Sequence, residues 1–269
     1  NFDGSKSLVR IHAVSLCAAM VRIIGLMGPI ASGKSSVTKL LQAASCPVVD
    51  ADEISHQLQA DPRGQVHQRL VSRFGDRVVG ADGAIDRQRL SEVVLGDREQ
   101  LAALNRIMHG PILREIMRQT LAHILGGSRR IFLDIPLLAA FLVKYPRLLR
   151  VVLSAVLVVS VPPEVQKARL IARNGFSDEE AQRRIDLQLP AHVQRALADS
   201  VVHNGGTLAE LEREVAAFLE HEPSGWTGLE VLASGAIAGL AAALASMAQG
   251  ACAGAAVLFA ALGLARCSK

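Results

Sequence analysis

The sequence predicts an α/β fold, with a parallel sheet covered by helices on both faces. Short, continuously apolar runs alternate along the chain with segments of helical periodicity, a pattern typical of parallel sheets. The first apolar run ends at a glycine-containing turn that opens a helix, as a strand of such a sheet does. Half of the 269 residues are hydrophobic, so the chain can bury a sizeable core.

Five apolar runs predict the strands of this sheet, at 21–27, 47–50, 130–134, 155–161 and 200–202. Helical segments between them are expected at 34–44, 51–58, 87–95, 98–125, 163–173, from 178 onwards and at 208–221. The region 64–126 is expected to be mostly helical, with Leu70, Val71 and Phe74 at helical spacing. We expect an interruption at Gly110-Pro111, because proline breaks the interior of a helix.

Changes in composition divide the chain into four parts. Residues 1–20 are an N-terminal extension, 21–222 the globular domain, 223–230 a linker and 231–265 an uncharged, alanine-rich segment. The extension contains three basic or histidine side chains and one acid. Its two interpretations are a disordered extension and a weak organellar presequence.

Charge and cysteine content exclude some classes of protein. The net charge of +4 fits a protein that handles phosphate-bearing molecules, although an ordinary solvated surface also explains it. Aromatic residues make up only 3% of the chain, which argues against a stacking platform for single-stranded nucleic acid. None of the four cysteines lies in a CxxC pair, so we expect neither a zinc site nor a disulfide framework.

Residues 28–35 match the pattern G-x-x-x-x-G-K-[ST] in the context it requires, after a strand and before a helix. Consecutive backbone N–H groups and the helix N-terminus can wrap phosphate oxygens. Lys34 can reach the β- and γ-phosphates of a nucleotide, and the hydroxyl of Ser35 can ligate Mg²⁺. The predicted ATP-binding residues of this P-loop are Gly28, Pro29, Ile30, Ala31, Ser32, Gly33, Lys34, Ser35 and Ser36.

The P-loop has an unusual composition. Pro29 and Ile30 stand where many kinases have glycine. Proline has no N–H group, so one phosphate contact is lost if that N–H would have pointed inward. A loop that has lost its activity is the alternative to a working nucleotide site.

Two aspartates follow the second predicted strand. We take this strand as a neighbour of the first, and ligands of parallel sheets bind at the carboxyl ends of the strands. Asp50 and Asp52 are then expected to face the γ-phosphate, where one of them can accept the proton of an attacking hydroxyl. The alternative, stronger for Asp50 than for Asp52, is that the carboxylate caps the helix that follows.

Several short motifs now follow one another in order and at fitting spacings. They are GLMGPIASGKSSV, VVDADEISHQL, DGAIDR at 82–87, LNRIMH at 104–109, DIPLL at 134–138, RLIARNG at 169–175 and the run from Ala198-Asp199 to Asn204-Gly205. Together they resemble the dephospho-CoA kinase family over about residues 21–220. The resemblance implies a three-layer P-loop kinase fold with a helical acceptor-binding region and a lid. It also implies ATP-dependent phosphorylation of the ribose 3′-hydroxyl of dephospho-CoA, the last step of coenzyme A biosynthesis.

The same resemblance implies roles for individual residues. Asp52 is the general base, and the lid spans 175–194. By this resemblance Arg169 contacts the nucleotide phosphates, Asn204 lies near the adenine, and Arg87 and His109 bind dephospho-CoA. We also predict that Lys34 and Arg169 are catalytic, that Arg173 binds ATP, and that Asp50 and Asp134 bind the acceptor.

The two arginines are also expected from physical arguments to act together. Arg169 and Arg173 are four residues apart and so lie on one helix face, where their guanidinium groups suit a phosphoryl group in transfer. The alternative for either is a surface salt bridge. His109 could likewise be only the last residue of a helix.

The sequence departs from the family pattern at three places. Ala139-Ala140 replace an acidic residue, about six extra residues precede Ala155, and Gly110 separates His109 from Pro111. All three lie on the acceptor side. Two rival functions therefore stay open: another small-molecule kinase, for a nucleoside or a sugar, and a catalytically silent, membrane-bound nucleotide-binding protein.

Residues 231–265 carry no charged side chain, and a membrane-spanning helix needs about 20 apolar residues. We expect a C-terminal membrane anchor with the kinase domain facing the cytosol. GxxxG motifs at 235–239 and 250–254 favour helix pairing, within a hairpin or between two chains of a homo-oligomer. The alternatives are a pair of helices packed on each other and a shifted reading frame.

Overall fold

A computed structural model describes residues 21–136 and 138–221. The expected N-terminal extension (1–20), linker (223–230) and uncharged segment (231–265) lie outside the described residues. Within the described ranges, no helix combines the length and apolar character needed to cross a membrane.

The strands of the described chain form one five-stranded sheet in the order β2-β3-β1-β4-β5. Their bounds are β1 Arg22–Met27, β2 Val48–Asp50, β3 Arg130–Asp134, β4 Ala155–Ser160 and β5 Ser200–His203. The pairings of β1 with β3, β1 with β4 and β4 with β5 are parallel. The α/β class and all five predicted strands are confirmed.

One feature of this strand order corrects the sequence analysis. β3 lies between β2 and β1, so the strand ending at Asp50 is not a neighbour of β1. The neighbour is β3, and Leu26 of β1 is in register with Asp134 at its carboxyl end. Order along the chain does not determine order in a sheet, because a long helical region between β2 and β3 lets the later strand insert beside β1.

The helices lie close to their predicted positions. Their bounds are α1 Lys34–Ala43, α2 Ala51–Ala60, α3 Gln65–Phe74, α4 Arg87–Val94, α5 Arg98–Leu125, α6 Leu138–Lys144, α7 Pro146–Val152, α8 Pro163–Asn174, α9 Asp178–Asp186, α10 Ala191–Leu197 and α11 Leu208–Glu220. No pattern in the sequence predicts α6, α7 and α10, each of which has seven residues. Helices of two turns give too few residues for a periodic pattern.

The described residues form two compact units. The first, 21–49 with 118–221, contains the sheet, and its core centres on side chains with no exposed surface such as Ile24, Leu26, Phe132 and Leu157. The second, 50–117, is helical and buries a core of its own from α3 to α5. That core includes Val66, Leu70, Phe74, Val78, Leu90, Met108 and Ile112.

The expected break at Gly110-Pro111 is wrong, because α5 runs without interruption through Pro111. Proline clashes in part with the Cβ of the residue before it, and Gly110 has no Cβ. Met108 and Ile112, one on each side of the pair, are buried and hold the helix together by packing. The helix therefore tolerates a missing backbone hydrogen bond.

This arrangement predicts that Pro111→Ala stabilises the protein. Proline in a helix interior is about 3 kcal/mol less favourable than alanine, and part of this is offset by its restriction of the unfolded chain. We expect the free energy of unfolding, measured with denaturant, to rise by about 1–2 kcal/mol. Pro163→Ala is the control, because Pro163 stands in the first turn of α8, where proline is tolerated. An equal shift in both variants would contradict the explanation.

Candidate active site

The P-loop connects β1 to α1 through a tight turn. The N–H of Ser32 donates to the carbonyl oxygen of Pro29 at 3.1 Å, and Ala31 has a φ of 59°. A positive φ at the third residue of a turn, and not at the second, is characteristic of type II. A non-glycine residue costs about 1–2 kcal/mol in this region. The turn that carries the phosphate-binding motif is therefore strained at Ala31.

A buried asparagine holds the second half of the loop. The side-chain amide of Asn204, just after β5, donates to the carbonyl oxygen of Ser32 at 2.7 Å. Gly33 has a φ of 84°, and a Cβ there would lie 1.9 Å from Nδ2 of Asn204. Gly33 is thus required both by its conformation and by the approach of Asn204. The carbonyl of Ser32 points toward Asn204, and the backbone N–H groups at the start of α1 can bind an anion.

Arg169 supports this asparagine. Its Nη1 donates to the backbone carbonyl of Asn204 at 2.8 Å, which uses one of the five guanidinium donors. Arg173, one turn further along α8, bonds the side chain of Asn174 at 2.9 Å. The structure thus brings Arg169 and Asn204 to the P-loop. Their contacts with phosphate and adenine stay predictions, as does the nucleotide contact of Arg173.

Lys34 forms an ion pair with Asp134. The carboxylate is buried at the end of β3, and the lysine is half-buried at the start of α1. Since β3 pairs with β1, this acid and the P-loop lysine come from neighbouring strand ends. The sheet itself therefore places a carboxylate beside the P-loop lysine.

Oxygen atoms dominate the possible metal ligands here. Ser35 presents an exposed hydroxyl in the first turn of α1, and Asp134 supplies a carboxylate. Among the described residues, no group of three or more histidine, cysteine, aspartate or glutamate side chains forms a metal cage. This donor set fits Mg²⁺, which is usually bound through few protein oxygens together with phosphates.

In the second unit, Asp50 is the N-cap of α2. Its Oδ1 accepts from the backbone N–H groups of Asp52 at 2.8 Å and Glu53 at 3.2 Å. The capping alternative for Asp50 is thereby confirmed, while Asp52 lies half-buried in the first turn of the helix. Its role as general base stays a prediction.

Arg87 and His109 lie on different helices of this unit. Arg87 is the first residue of α4 and is half-buried. His109 lies inside α5, so the alternative that it is only a helix C-terminal residue is wrong. Burial lowers the pKa of His109, so its imidazole is neutral at pH 7 and can both donate and accept a hydrogen bond.

Two glutamines that are not among the predicted site residues bind the P-loop backbone. Nε2 of Gln166 in α8 donates to the carbonyl oxygen of Ile30 at 2.9 Å. The N–H of Ile30 donates to Oε1 of Gln188, in the segment expected to form the lid, at 2.7 Å. Gln166 lies one turn before Arg169, a spacing that could have identified it. Gln188 follows the end of α9, and no pattern in the sequence marks it.

Comparison with known proteins identifies the family of this chain. The family model described as dephospho-CoA kinase matches residues 22–210. The chain belongs to the dephospho-CoA kinase family. This confirms the resemblance seen in the sequence, the class of enzyme, and the predicted function in coenzyme A biosynthesis.

Individual relatives agree with this assignment. A dephospho-CoA kinase of Carboxydothermus hydrogenoformans is 39% identical over 198 residues, which cover 74% of this chain and 93% of the relative. One from Bacillus cereus is 38% identical and covers 75% of this chain and 98% of its own. A solved structure from Thermus thermophilus, 33% identical, superposes with a TM-score of 0.59 over 76% of this chain and 99% of that one.

The close contact at Gly33 predicts a severe effect of Gly33→Ala. The new Cβ must displace Asn204 or the loop, so we expect at least a hundredfold loss of kcat/KM. Gly127→Ala is the control: Gly127 also has a positive φ, of 80°, but a Cβ there meets no atom within 4 Å. The control should cost about 1 kcal/mol of stability and leave activity within threefold. Equal losses of activity would contradict the role given to Asn204.

Proposed function

We propose that this chain transfers the γ-phosphoryl group of ATP to the ribose 3′-hydroxyl of dephospho-CoA. The observation that carries this proposal is the pairing of Lys34 with Asp134 in a P-loop fastened by Asn204. A lysine held at the carboxyl ends of two parallel strands is placed to meet nucleotide phosphates. Membership of the dephospho-CoA kinase family supplies the identity of the acceptor.

The first unit supplies positive charge and positioning. Lys34 moves from Asp134 to the β- and γ-phosphates when nucleotide binds, and the N–H groups that begin α1 bind phosphate oxygens. Arg169 keeps one donor on Asn204 and turns the others to the phosphates, with Arg173 on the same helix face. Preorganised cations stabilise the charge of the transferring group without reorganising during the reaction.

Mg²⁺ bound with ATP would be held by Ser35, with Asp134 as a further oxygen donor, and would neutralise charge on the phosphates. Asp134 would take this part when Lys34 has turned to the nucleotide. One carboxylate then serves first as the partner of Lys34 and later as an oxygen donor.

The second unit supplies the base and the acceptor contacts. Asp52 takes the proton from the ribose 3′-hydroxyl, while Asp50 caps α2 and orients the turn in which Asp52 lies. Arg87 binds phosphate of dephospho-CoA, and neutral His109 contributes a hydrogen bond. The resemblance to the family supports these roles.

The test that separates the candidate functions is an acceptor assay with Mg·ATP. We expect CoA to form from dephospho-CoA, with nucleosides and sugars phosphorylated at least a hundredfold less efficiently. Ala139-Ala140 lie on the acceptor side, so this ratio measures whether the departure from the family pattern alters substrate choice. Preference for another acceptor would overturn the proposal, and absence of ATP turnover would support the silent alternative.

Three substitutions test the assigned roles. Lys34→Ala should lower the rate by at least about a hundredfold, because one charge contact in a shielded site is lost. Asp52→Asn should lower kcat by about 10²–10⁴-fold while ATP still binds. Asp50→Asn should have a smaller effect, because an asparagine also caps helices well. Steady-state kinetics with nucleotide titrations measures these effects, and a reversed ranking of the aspartates would show that the base is Asp50.

We also propose that residues 231–265 hold the protein at a membrane with the kinase domain facing the cytosol. The absence of charge across this segment supports the proposal. Truncation after residue 225 should leave an active enzyme in the supernatant, while the full chain sediments with membranes and resists carbonate extraction. A full chain that stays in the supernatant without detergent would rule out the anchor.

A further inference from the structure

The segment expected to form the lid bonds the backbone of the P-loop. The N–H of Ile30 donates to Oε1 of Gln188 at 2.7 Å, across 158 positions of sequence. Gln188 is half-buried and lies just after α9, in the segment 175–194 that the sequence analysis takes as the lid. Ile30 is the second residue of the turn closed by the Ser32–Pro29 hydrogen bond.

Two buried amides brace this contact from either side. Gln166 donates from Nε2 to the carbonyl oxygen of the same Ile30 at 2.9 Å. Gln194 donates from Nε2 to the carbonyl oxygen of Leu189, the residue after Gln188, at 2.8 Å. These two glutamines are only 4% and 5% exposed, so burial limits their alternatives to the bonds they make. Glutamine side chains therefore form hydrogen bonds to both the N–H and the carbonyl oxygen of Ile30.

The conformation of the residue that follows Ile30 explains why these hydrogen bonds are needed. Ala31 has a φ of 59°, a conformation that is unfavourable for alanine. Strained backbone persists only where the surrounding structure over-determines it. Ile30 on one side is held by the two glutamines, and Ser32 on the other side is held by Asn204.

We propose that Gln188 is a positioning residue for the P-loop, through which the lid keeps the loop in its phosphate-binding shape before nucleotide arrives. The N–H that it occupies is then not one of those offered to phosphate. The phosphates are left to the N–H groups after the turn, at the start of α1. The proposal rests on the proposed function, since it assigns a new residue to the same ATP site.

The decisive variant is Gln188→Met, which keeps the length of the side chain but removes the acceptor. We expect the backbone amide of Ile30 to exchange with solvent at least fivefold faster in the nucleotide-free protein. The KM for ATP should rise about fivefold, because the binding step must now order the loop, while kcat stays within twofold. Hydrogen exchange of Ile30 and steady-state kinetics measure the two effects.

Gln182→Met is the matched control. Gln182 lies on α9 in the same segment, is exposed, and bonds Asp186 of its own helix at 2.8 Å. It should leave both measurements unchanged. Gln188→Glu is the conservative variant: its carboxylate still accepts from Ile30, so exchange of Ile30 should return to the slow rate of the wild type.

The outcomes separate this proposal from the proposed function. If Gln188→Met matches Gln182→Met in both Ile30 exchange and KM for ATP, Gln188 has no positioning role. A lower KM for ATP in Gln188→Met would mean that the bond competes with nucleotide, which also overturns the proposal. Failure of the wild type to make CoA would reject the proposed function, while the exchange of Ile30 would still decide the role of Gln188.

Discussion

The hydrogen bond from the Asn204 amide to the carbonyl oxygen of Ser32 is the contact on which the candidate site depends. It joins the loop after β1 to the loop after β5, strands at the centre and at one edge of the same sheet. Because Asn204 approaches so closely, residue 33 must be glycine, and because Arg169 holds the backbone of Asn204, the arginine is placed beside the loop as well. The side-chain amide of Asn204 thereby requires glycine at position 33, positions Arg169 beside the loop and orients the loop backbone.

Much of this arrangement could be predicted from local sequence. The P-loop pattern identifies Gly33, Lys34 and Ser35 because wrapping a phosphate needs particular residues at a fixed spacing. The strands could be predicted because each is a continuous apolar run bounded by polar residues. Gly175, with its positive φ, ends α8 where the sequence predicts a break. In each case the signal lies within a dozen residues of the structure that it determines.

The features that sequence could not predict depend on partners far along the chain. The neighbour of β1 is β3, so Asp134 and not Asp50 is the acid beside the P-loop strand, and no local pattern encodes strand order. Gln188 binds the backbone N–H of Ile30, and a backbone group leaves no trace of its partner in the sequence. Pro111 lies inside a helix although proline usually breaks helices, because buried side chains on both sides stabilise this one. The rule for proline holds for an isolated helix and yields to packing.

The distance along the chain between Ser32 and Asn204 has a consequence for biosynthesis. The two residues are 172 positions apart. A ribosome that has just made the P-loop must therefore make most of the domain before Asn204 can bind the loop. At roughly 5–20 residues per second, this interval is on the order of 10–30 s. During it, the nascent chain carries the whole phosphate-binding motif in a form that lacks its supporting amide. Nucleotide binding is therefore a property that the chain acquires late, almost at the moment when the last strand of the sheet emerges.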